Sequence, residues 1–381
     1  MNAQRNGPLA GIRVVEFSGI GPGPFCGMLL ADMGAEVLLI ERSTLPDIGI
    51  PRERKHEIVH RGKASLVLDL KQDWARTTAL DLTARADVVI EGFRPGTMEK
   101  LGLGPQTCLD ANERLVYGRV TGYGQDGPMA QHAGHDLNYI AVSGVLHAIG
   151  RAKQAPTPPL NLVGDYAGGS MLLAMGILAA LFERSRTGRG QVVDAAMVDG
   201  SALLMGPYLG MMAAGLVSNV RGENLLDSGA PYYDVYECKD ARYIAFAAIE
   251  RKFRTVFAER TGFDVRALLQ DDRSGWPAMR QNLAHLFKQK TSAQWCKLLE
   301  DCDACVTPVL PAGEAALHPH NVARKTFFEQ EGILQPSPAP RFSRTPAAAS
   351  AAPPFPDQGG IEMATAWGVA KERLHEAHAA P

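Results

Sequence analysis

The first third of the chain alternates short apolar runs with glycine-rich turns and helical stretches, and this alternation limits the fold more than any other feature. "GIRVVEF" ends at a Gly/Pro turn, "SGIGPGP"; an apolar helical stretch, Phe25 to Met33, follows, and then a second run, "AEVLLIE". "ASLVLDL" and "ADVVIEGF" read as further strands, with "DWARTTALDLTARA" as a helix between them, and "RLVYGRVTGYG" as a strand entering a glycine-rich loop. Strand–helix–strand repetition of this kind predicts an α/β fold with a mostly parallel sheet and helices on both faces.

The rest of the chain is organised differently. A Pro-rich loop, "APTPPLNLVGDYAGG", leads into a helix predicted from about Gly168 to Arg184, with Asp165 at or just before its start. A carboxylate there suits both the free N–H groups and the helix dipole. "QVVDAAM" reads as a strand, and the uncharged stretch from Gly200 to Val220 follows. That stretch contains Gly206, Pro207, Gly210 and Gly215, and is expected to be a buried core or subunit-interface helix rather than a membrane span. Composition changes near Asp227: "APYYDVYECKDARYIAFAAIE" reads as strand–turn–strand and "DACVTPVL" as another strand. From Pro336 to Gly360 the chain is rich in Pro, Ala and Ser and predicts an extended strap. With 381 residues, two domains are expected. The boundaries drawn are a large domain at 1–198, a linker helix at 199–227, a smaller α/β domain at 228–320, and a return segment at 321–381 that rejoins the large domain.

A formal net charge of −2 gives no basis for a nucleic-acid partner. Cys26, Cys108, Cys238, Cys296, Cys302 and Cys305 show no paired framework and read as reduced thiols. The opening "MNAQRNGPLAGIRVVEF" has no long apolar core, and the ending "AHAAP" carries no peroxisomal or prenylation signal. A cytoplasmic protein without a membrane partner is expected.

Several motifs imitate known chemistry and fail on inspection. The turn after the first strand has Gly19, Ile20 and Gly21, but Pro22, Gly23 and Pro24 follow. No third glycine falls where a dinucleotide fingerprint needs it, and two prolines remove N–H donors from the pyrophosphate position. His132 with His135, and His375 with His378, are each three apart, short of zincin spacing. Cys302 and Cys305 form one CxxC without a second pair, so no metal is expected.

Two segments carry more. "GHDLNY" places His135 and Asp136 after a glycine in a loop that follows a strand, and "NLVGDYAGG" places Asp165 at a helix start. Such loops are where open α/β sheets hold their chemistry. A histidine and a carboxylate on opposite sides of one carbon can take a proton from one face and return it to the other. Backbone N–H groups around Asp165 are candidates to stabilise an enolate oxygen. The plainer alternatives are a hydrogen-bonded His–Asp pair and a simple helix cap at Asp165.

Around these residues the chain resembles the α-methylacyl-CoA racemases, within the wider class III coenzyme A transferase family. The resemblance runs in order through "GPLAGIRVVEFSGIGPGPFCGMLLADMGAEVLLIER", "RGKASLVLDLK", "ADVVIEGFRPGTMEKLGLGP", "TGYGQDGP" and "AGHDLNYIAVSGVLHAIG". It continues through "PPLNLVGDYAGGSMLLAMGILAALFERSRTGRGQVVDAAMVDGS", "APYYDVYECKD" and "DACVTPVL" to "PAPRFSRT", nearly the whole chain. It implies a doubly wound, Rossmann-like large domain, a smaller α/β domain and an interlocked homodimer, with the site between the large domain of one subunit and the small domain of the other. It also implies an acyl-CoA thioester as substrate and no separate cofactor, since the thioester itself acidifies the α-carbon.

Residue by residue, the resemblance makes His135 the acid/base on one face, for the 2S substrate, and Asp165 its counterpart for the 2R substrate. Asn161 would assist, and Glu250 would hydrogen-bond the histidine. For coenzyme A it implies Arg42, the backbone of Leu68, Asp69, Leu70 and Lys71, then Gly92, Phe93 and Arg94, and the run Gly134 to Tyr139 with Asp136. Arg42, Lys71 and Arg94 would meet phosphates. Lys100 stands where the racemases often have arginine, which keeps the charge but loses the two-pronged grip. The basic loop "PDIGIPRERKHEIVHRGK" is left without individual roles. Met197, Met205, Met211 and Met212 resemble an apolar surface for a moving acyl chain. Transferases of the family use the matching aspartate as a nucleophile and generally lack the histidine. "GHDLNY" therefore favours α-proton transfer over CoA transfer, and over a non-catalytic acyl-CoA binder.

Overall fold

The computed structural model describes residues 6–42, 49–269, 272–347 and 351–374; His375 and His378 lie outside them. The chain divides into two compact units, one of residues 1–143, 160–204 and 325–381, the other of 144–159 and 205–324.

In the first unit the apolar runs become strands β1 (Arg13–Phe17), β2 (Glu36–Glu41), β3 (Lys63–Val67), β4 (Val88–Glu91), β5 (Val116–Thr121) and β6 (Val192–Ala196). They form one six-stranded sheet in the order β3-β2-β1-β4-β5-β6, every pair parallel. Successive side chains alternate between two cores. Val14, Val37, Val88 and Ile90 face the helices Pro22–Asp32 and Leu172–Thr187. Val15, Leu38, Leu66 and Val89 face the helices Asp73–Thr83 and Gly360–Ala366. Burial on both sides explains why these strands read as continuous apolar runs. The direction of winding reverses between β1 and β4, and the crevice at such a reversal is where open sheets of this kind place ligands.

The free edge of β3 is covered by the carboxy-terminal strap. The Ser65 N–H donates to the Gln358 carbonyl at 3.0 Å, the Gly62 N–H to the Ala351 carbonyl at 2.9 Å, and the Val67 N–H to Asp357 Oδ1 at 2.6 Å. An edge strand left bare would offer its donors to another chain. Before the strap, β10 (Phe327–Gln330) and β11 (Ile333–Pro336) form an antiparallel hairpin that the sequence reading passed over as return segment.

A buried ion pair lies behind the helix Pro22–Asp32. Lys63 Nζ donates to Glu16 Oε1 at 2.8 Å and to the Pro24 carbonyl at 2.9 Å, and both charged side chains are wholly buried. Burial pushes the Glu16 carboxyl up to about 7, against the attraction of Lys63.

The second unit holds a three-stranded antiparallel sheet of β7 (Tyr233–Glu237), β8 (Tyr243–Ala247) and β9 (Val306–Pro308). Its core is aromatic: Phe246 stacks on Phe257 at 4.3 Å, and Phe287 meets Trp295 edge-on at 5.3 Å. Segment 144–159, read from sequence as large-domain loop, belongs here because Arg221 Nη1 holds the His147 carbonyl at 2.7 Å and Arg151 pairs with Asp234.

Two helical expectations are corrected. The helix after the Pro-rich loop starts at Leu162, not Gly168, and runs as a π-helix to Met171 before continuing as an α-helix to Thr187. The stretch read as one linker helix at 199–227 is two helices, Met197–Leu204 and Gly206–Ala213. Pro207 lacks the N–H that a helix interior needs, so it can only open a new helix.

Candidate active site

Because the six strands are parallel, the loops that follow them emerge at one edge of the sheet. Arg42 follows β2, Leu68 to Lys71 follow β3, and Gly92, Phe93 and Arg94 follow β4. The run from Gly122 to Gly134 follows β5 and delivers His135 to the start of the helix Asp136–Val142. The residues that the resemblance implied for coenzyme A, scattered through the sequence, thus share one edge. Arg42, Lys71, Arg94 and Lys100 are exposed there. Leu68, Asp136 and Tyr139 are buried, so their side chains pack the loops rather than face outward. The Tyr139 hydroxyl donates to the Gly134 carbonyl and its ring meets Tyr123 edge-on at 5.0 Å.

His135 is exposed, in extended backbone, and caps its helix with its backbone N–H donating to Asn138 Oδ1 at 3.1 Å. Asp165 lies in the first turn of the π-helix, a form often found at functional sites. Asn161 Nδ2 donates to Asp165 Oδ2 at 3.0 Å. On its other side that oxygen looks onto Gly21, where a β-carbon would stand only 3.2 Å away; Gly21 has φ +65°, so glycine is favoured twice over. Asp165 therefore sits over the turn that leaves β1, at the sheet's reversal point.

Asp165 is not a helix cap with free donors around it. The Gly164 and Asp165 N–H groups donate to Asp136 Oδ1, at 2.6 and 2.8 Å. Those two donors are occupied, which removes them from the enolate-binding role expected of them. The same bonds tie the His135 helix to the Asp165 helix.

Burial raises the Asp165 carboxyl above the ordinary aspartate range; the Asn161 hydrogen bond opposes this, the Asp136 charge adds to it, and His135 draws it down. A carboxyl raised in this way keeps its proton to higher pH than a free aspartate does, which suits a group that must both take and give one. The raised value also costs stability. The folded state disfavours the carboxylate, so the penalty is present at pH above the folded pKa and disappears as pH falls below the unfolded one. Asp165→Asn is thus expected to melt higher than the wild type at neutral pH, with the difference closing in acid. Thermal unfolding at a series of pH values checks it; an unchanged or lowered neutral Tm contradicts it.

The turn at Gly92 has a support that the sequence reading missed. Buried Glu91 accepts the Phe93 N–H at 2.8 Å and Arg119 Nε at 2.7 Å, and Arg119 also pairs with Glu99 at 2.9 Å. Charged residues at the inward positions of β4 and β5 were the available signal. Glu250 belongs to the second unit, where it is exposed and opens the helix Arg251–Thr261.

Comparison with known proteins adds the following. A family model described as CoA-transferase family III matches residues 9–359. α-Methylacyl-CoA racemase of Mus musculus is 44% identical over 373 residues, covering 97% of this chain and 96% of that protein. The racemase of Homo sapiens is 43% identical over 371 residues, with 97% and 95% covered. Among solved structures, a hypothetical protein from Mycobacterium tuberculosis superposes with a TM-score of 0.79 at 27% identity, covering 94% of this chain and 99% of that one.

Proposed function

The chain belongs to CoA-transferase family III, and on that premise we propose that it is an isomerase that interconverts the 2R and 2S forms of 2-methylacyl-CoA thioesters. The observation that carries this reading is the histidine. His135 and Asp165 emerge at one end of the parallel sheet on helices joined through Asp136, and His135 acts electrostatically on the Asp165 carboxyl. Two relatives that match over nearly the whole chain, at 44% and 43% identity, are racemases by name.

In this mechanism the thioester carbonyl acidifies the α-carbon. His135 removes the proton from the 2S substrate, and protonated Asp165 delivers one to the opposite face; from the 2R substrate the roles exchange. Asn161, bonded to Asp165 Oδ2, holds that carboxyl in place. Glu250 is proposed as the orienting carboxylate for the imidazole on the strength of the resemblance. The exposed cations Arg42, Lys71, Arg94 and Lys100 are proposed to receive the phosphates of coenzyme A, with the backbone of Leu68 to Lys71 and of Gly92 and Phe93 beside them. The route needs no metal, flavin or pyridoxal phosphate.

We also propose a cytoplasmic homodimer. In the first unit Leu162, Met171, Met175, Phe182 and Leu203 are each more than half exposed. A row of large apolar side chains on helices whose inner faces already pack the sheet supports an interface between copies. All six cysteines are free thiols, which suits a reducing compartment.

The competing chemistry of the family, CoA transfer with Asp165 as nucleophile, gives His135 no task. Chiral chromatography separates the two: a single enantiomer of a 2-methylacyl-CoA, incubated with the protein alone, is expected to approach an equal mixture. If chirality is kept until a carboxylic acid is added, and CoA then moves to that acid, the transferase reading replaces this one.

A further inference from the structure

We propose that Asp136 is a positioning residue for the reaction: a buried clamp whose one carboxylate oxygen fixes the start of the π-helix, and with it Asp165, against His135. The proposal deepens the racemase reading and rests on it for its catalytic consequence, though not for its structural one.

Asp136 is the first residue of the helix that His135 caps. It is only 4% exposed, and Oδ1 receives the N–H groups of both Gly164 and Asp165, 28 and 29 positions further along the chain. Two charge-assisted bonds to successive backbone donors hold a peptide in position and in orientation, where one bond would let it pivot. A π-helix leaves more donors unpaired at its start than an α-helix, so an outside acceptor is needed for the first turn to be ordered at all. The closeness is built in: a β-carbon at Gly164 would stand 2.6 Å from Asp136 Oδ1. Any other residue there would crowd the Asp136 carboxylate out of its place.

The clamp joins neighbours of the two reacting groups. His135 precedes Asp136 by one residue, and Asp165 is itself one of the two residues whose N–H is held. A shift of the π-helix start would therefore change the separation of the two acid/base groups directly. Among the described residues the buried Asp136 Oδ2 has no hydrogen-bond partner, so the side chain's bonds all serve this one task. The resemblance had put Asp136 among the coenzyme A contacts; its side chain instead points into the protein, leaving only its backbone for a nucleotide.

The carboxylate also acts on Asp165 through its charge. The groups facing Asp165 are Asn161 on its own segment and His135, Asp136 and Tyr139 on the neighbouring helix. The turn before Pro22 presents Gly21, and Asp199 on the helix Met197–Leu204 acts on Asp194 instead. Removing the Asp136 charge while keeping its acceptor should therefore lower the Asp165 pKa without moving the residue.

Asp136→Ala and Asp136→Asn separate these effects. Asn keeps an oxygen that can accept both N–H groups; Ala does not. In Asp136→Ala, α-proton exchange on the full-length protein is expected to fall about 100-fold, the usual consequence of misplacing a reacting group by about an ångström. Acyl-CoA binding, measured by calorimetry with a non-exchanging CoA thioether, should change by no more than about threefold, the scale of a lost surface contact. Asp136→Asn should recover most of the exchange, with the acid limb of its pH profile displaced to lower pH. Amide hydrogen exchange over 161–171 supplies an activity-independent readout: protection should drop in Asp136→Ala and stay near wild type in Asp136→Asn. Unchanged protection in Asp136→Ala, or an Asn variant no better than Ala, overturns the clamp. If wild type itself exchanges no α-proton, the racemase reading falls, while the protection data still decide the clamp.

Discussion

His135→Asn is expected to lower racemisation of 2-methylacyl-CoA by about 1,000-fold, within the range that general acid–base groups contribute. Asparagine is the informative replacement. It is among the best residues for capping a helix, so the start of Asp136–Val142 should survive, but it cannot take or give a proton at neutral pH. His135 is exposed and its backbone bond to Asn138 does not depend on the ring, so stability should shift by less than about 1 kcal/mol. Both substrate directions should fail together, since each uses the histidine once, as base or as acid. Loss of chirality followed from each enantiomer checks this. Failure in only one direction would mean that another group replaces His135 on the other face.

The largest effect on stability is expected from Lys63→Met. The change leaves Glu16 buried with its counter-ion gone, and leaves the Pro24 carbonyl without the donor it has at 2.9 Å. Breaking a buried pair from one side typically costs about 3–5 kcal/mol. The Glu16 carboxyl is already raised to about 7, so it can escape part of that cost by taking a proton, which favours the lower end, about 3 kcal/mol. Glu16→Leu combined with Lys63→Met should come within about 1 kcal/mol of wild type, because the desolvation of both charges disappears together. Urea unfolding of the two variants measures this. A double variant as unstable as the single one would show that the pair contributes more than mutual compensation.

How much of this was legible in the sequence depended on whether the signal was local. The strands of the parallel sheet were readable because both of their faces are buried, as with Val14 and Val15 or Leu38 and Leu39, so each appears as a continuous apolar run. The strand order was not readable, since it depends on pairings such as β1 with β4 that join residues more than seventy positions apart. The π-helix was also hidden. The Pro-rich loop was read as running on to a helix start at about Gly168, whereas the first turn begins earlier and is stabilised from outside by Asp136, a contact across 28 residues. Gly206-Pro207 did carry the break in the uncharged region, but the overall lack of charge read more strongly than the proline.

The site followed the same rule. His135 and Asp165 were named from short motifs and Asn161 from the resemblance; Asn161 and Asp165 are bonded at 3.0 Å. Glu91 and Arg119 were not, because a buried charge in a strand looks like any other polar position until its partner is known. Asp136 was noticed for its place beside the histidine and, through the resemblance, as a coenzyme A contact, whereas its side-chain bonds run toward Asp165.

The central claim is that this chain moves an α-proton between His135 and Asp165. The most direct test is one enantiomer of a 2-methylacyl-CoA, incubated with the wild-type protein in heavy water with no second carboxylic acid, and followed by mass spectrometry at the α-carbon. Deuterium entering that position in step with the loss of chirality is the predicted result. An α-carbon that keeps its hydrogen while CoA passes to an added acid would contradict it.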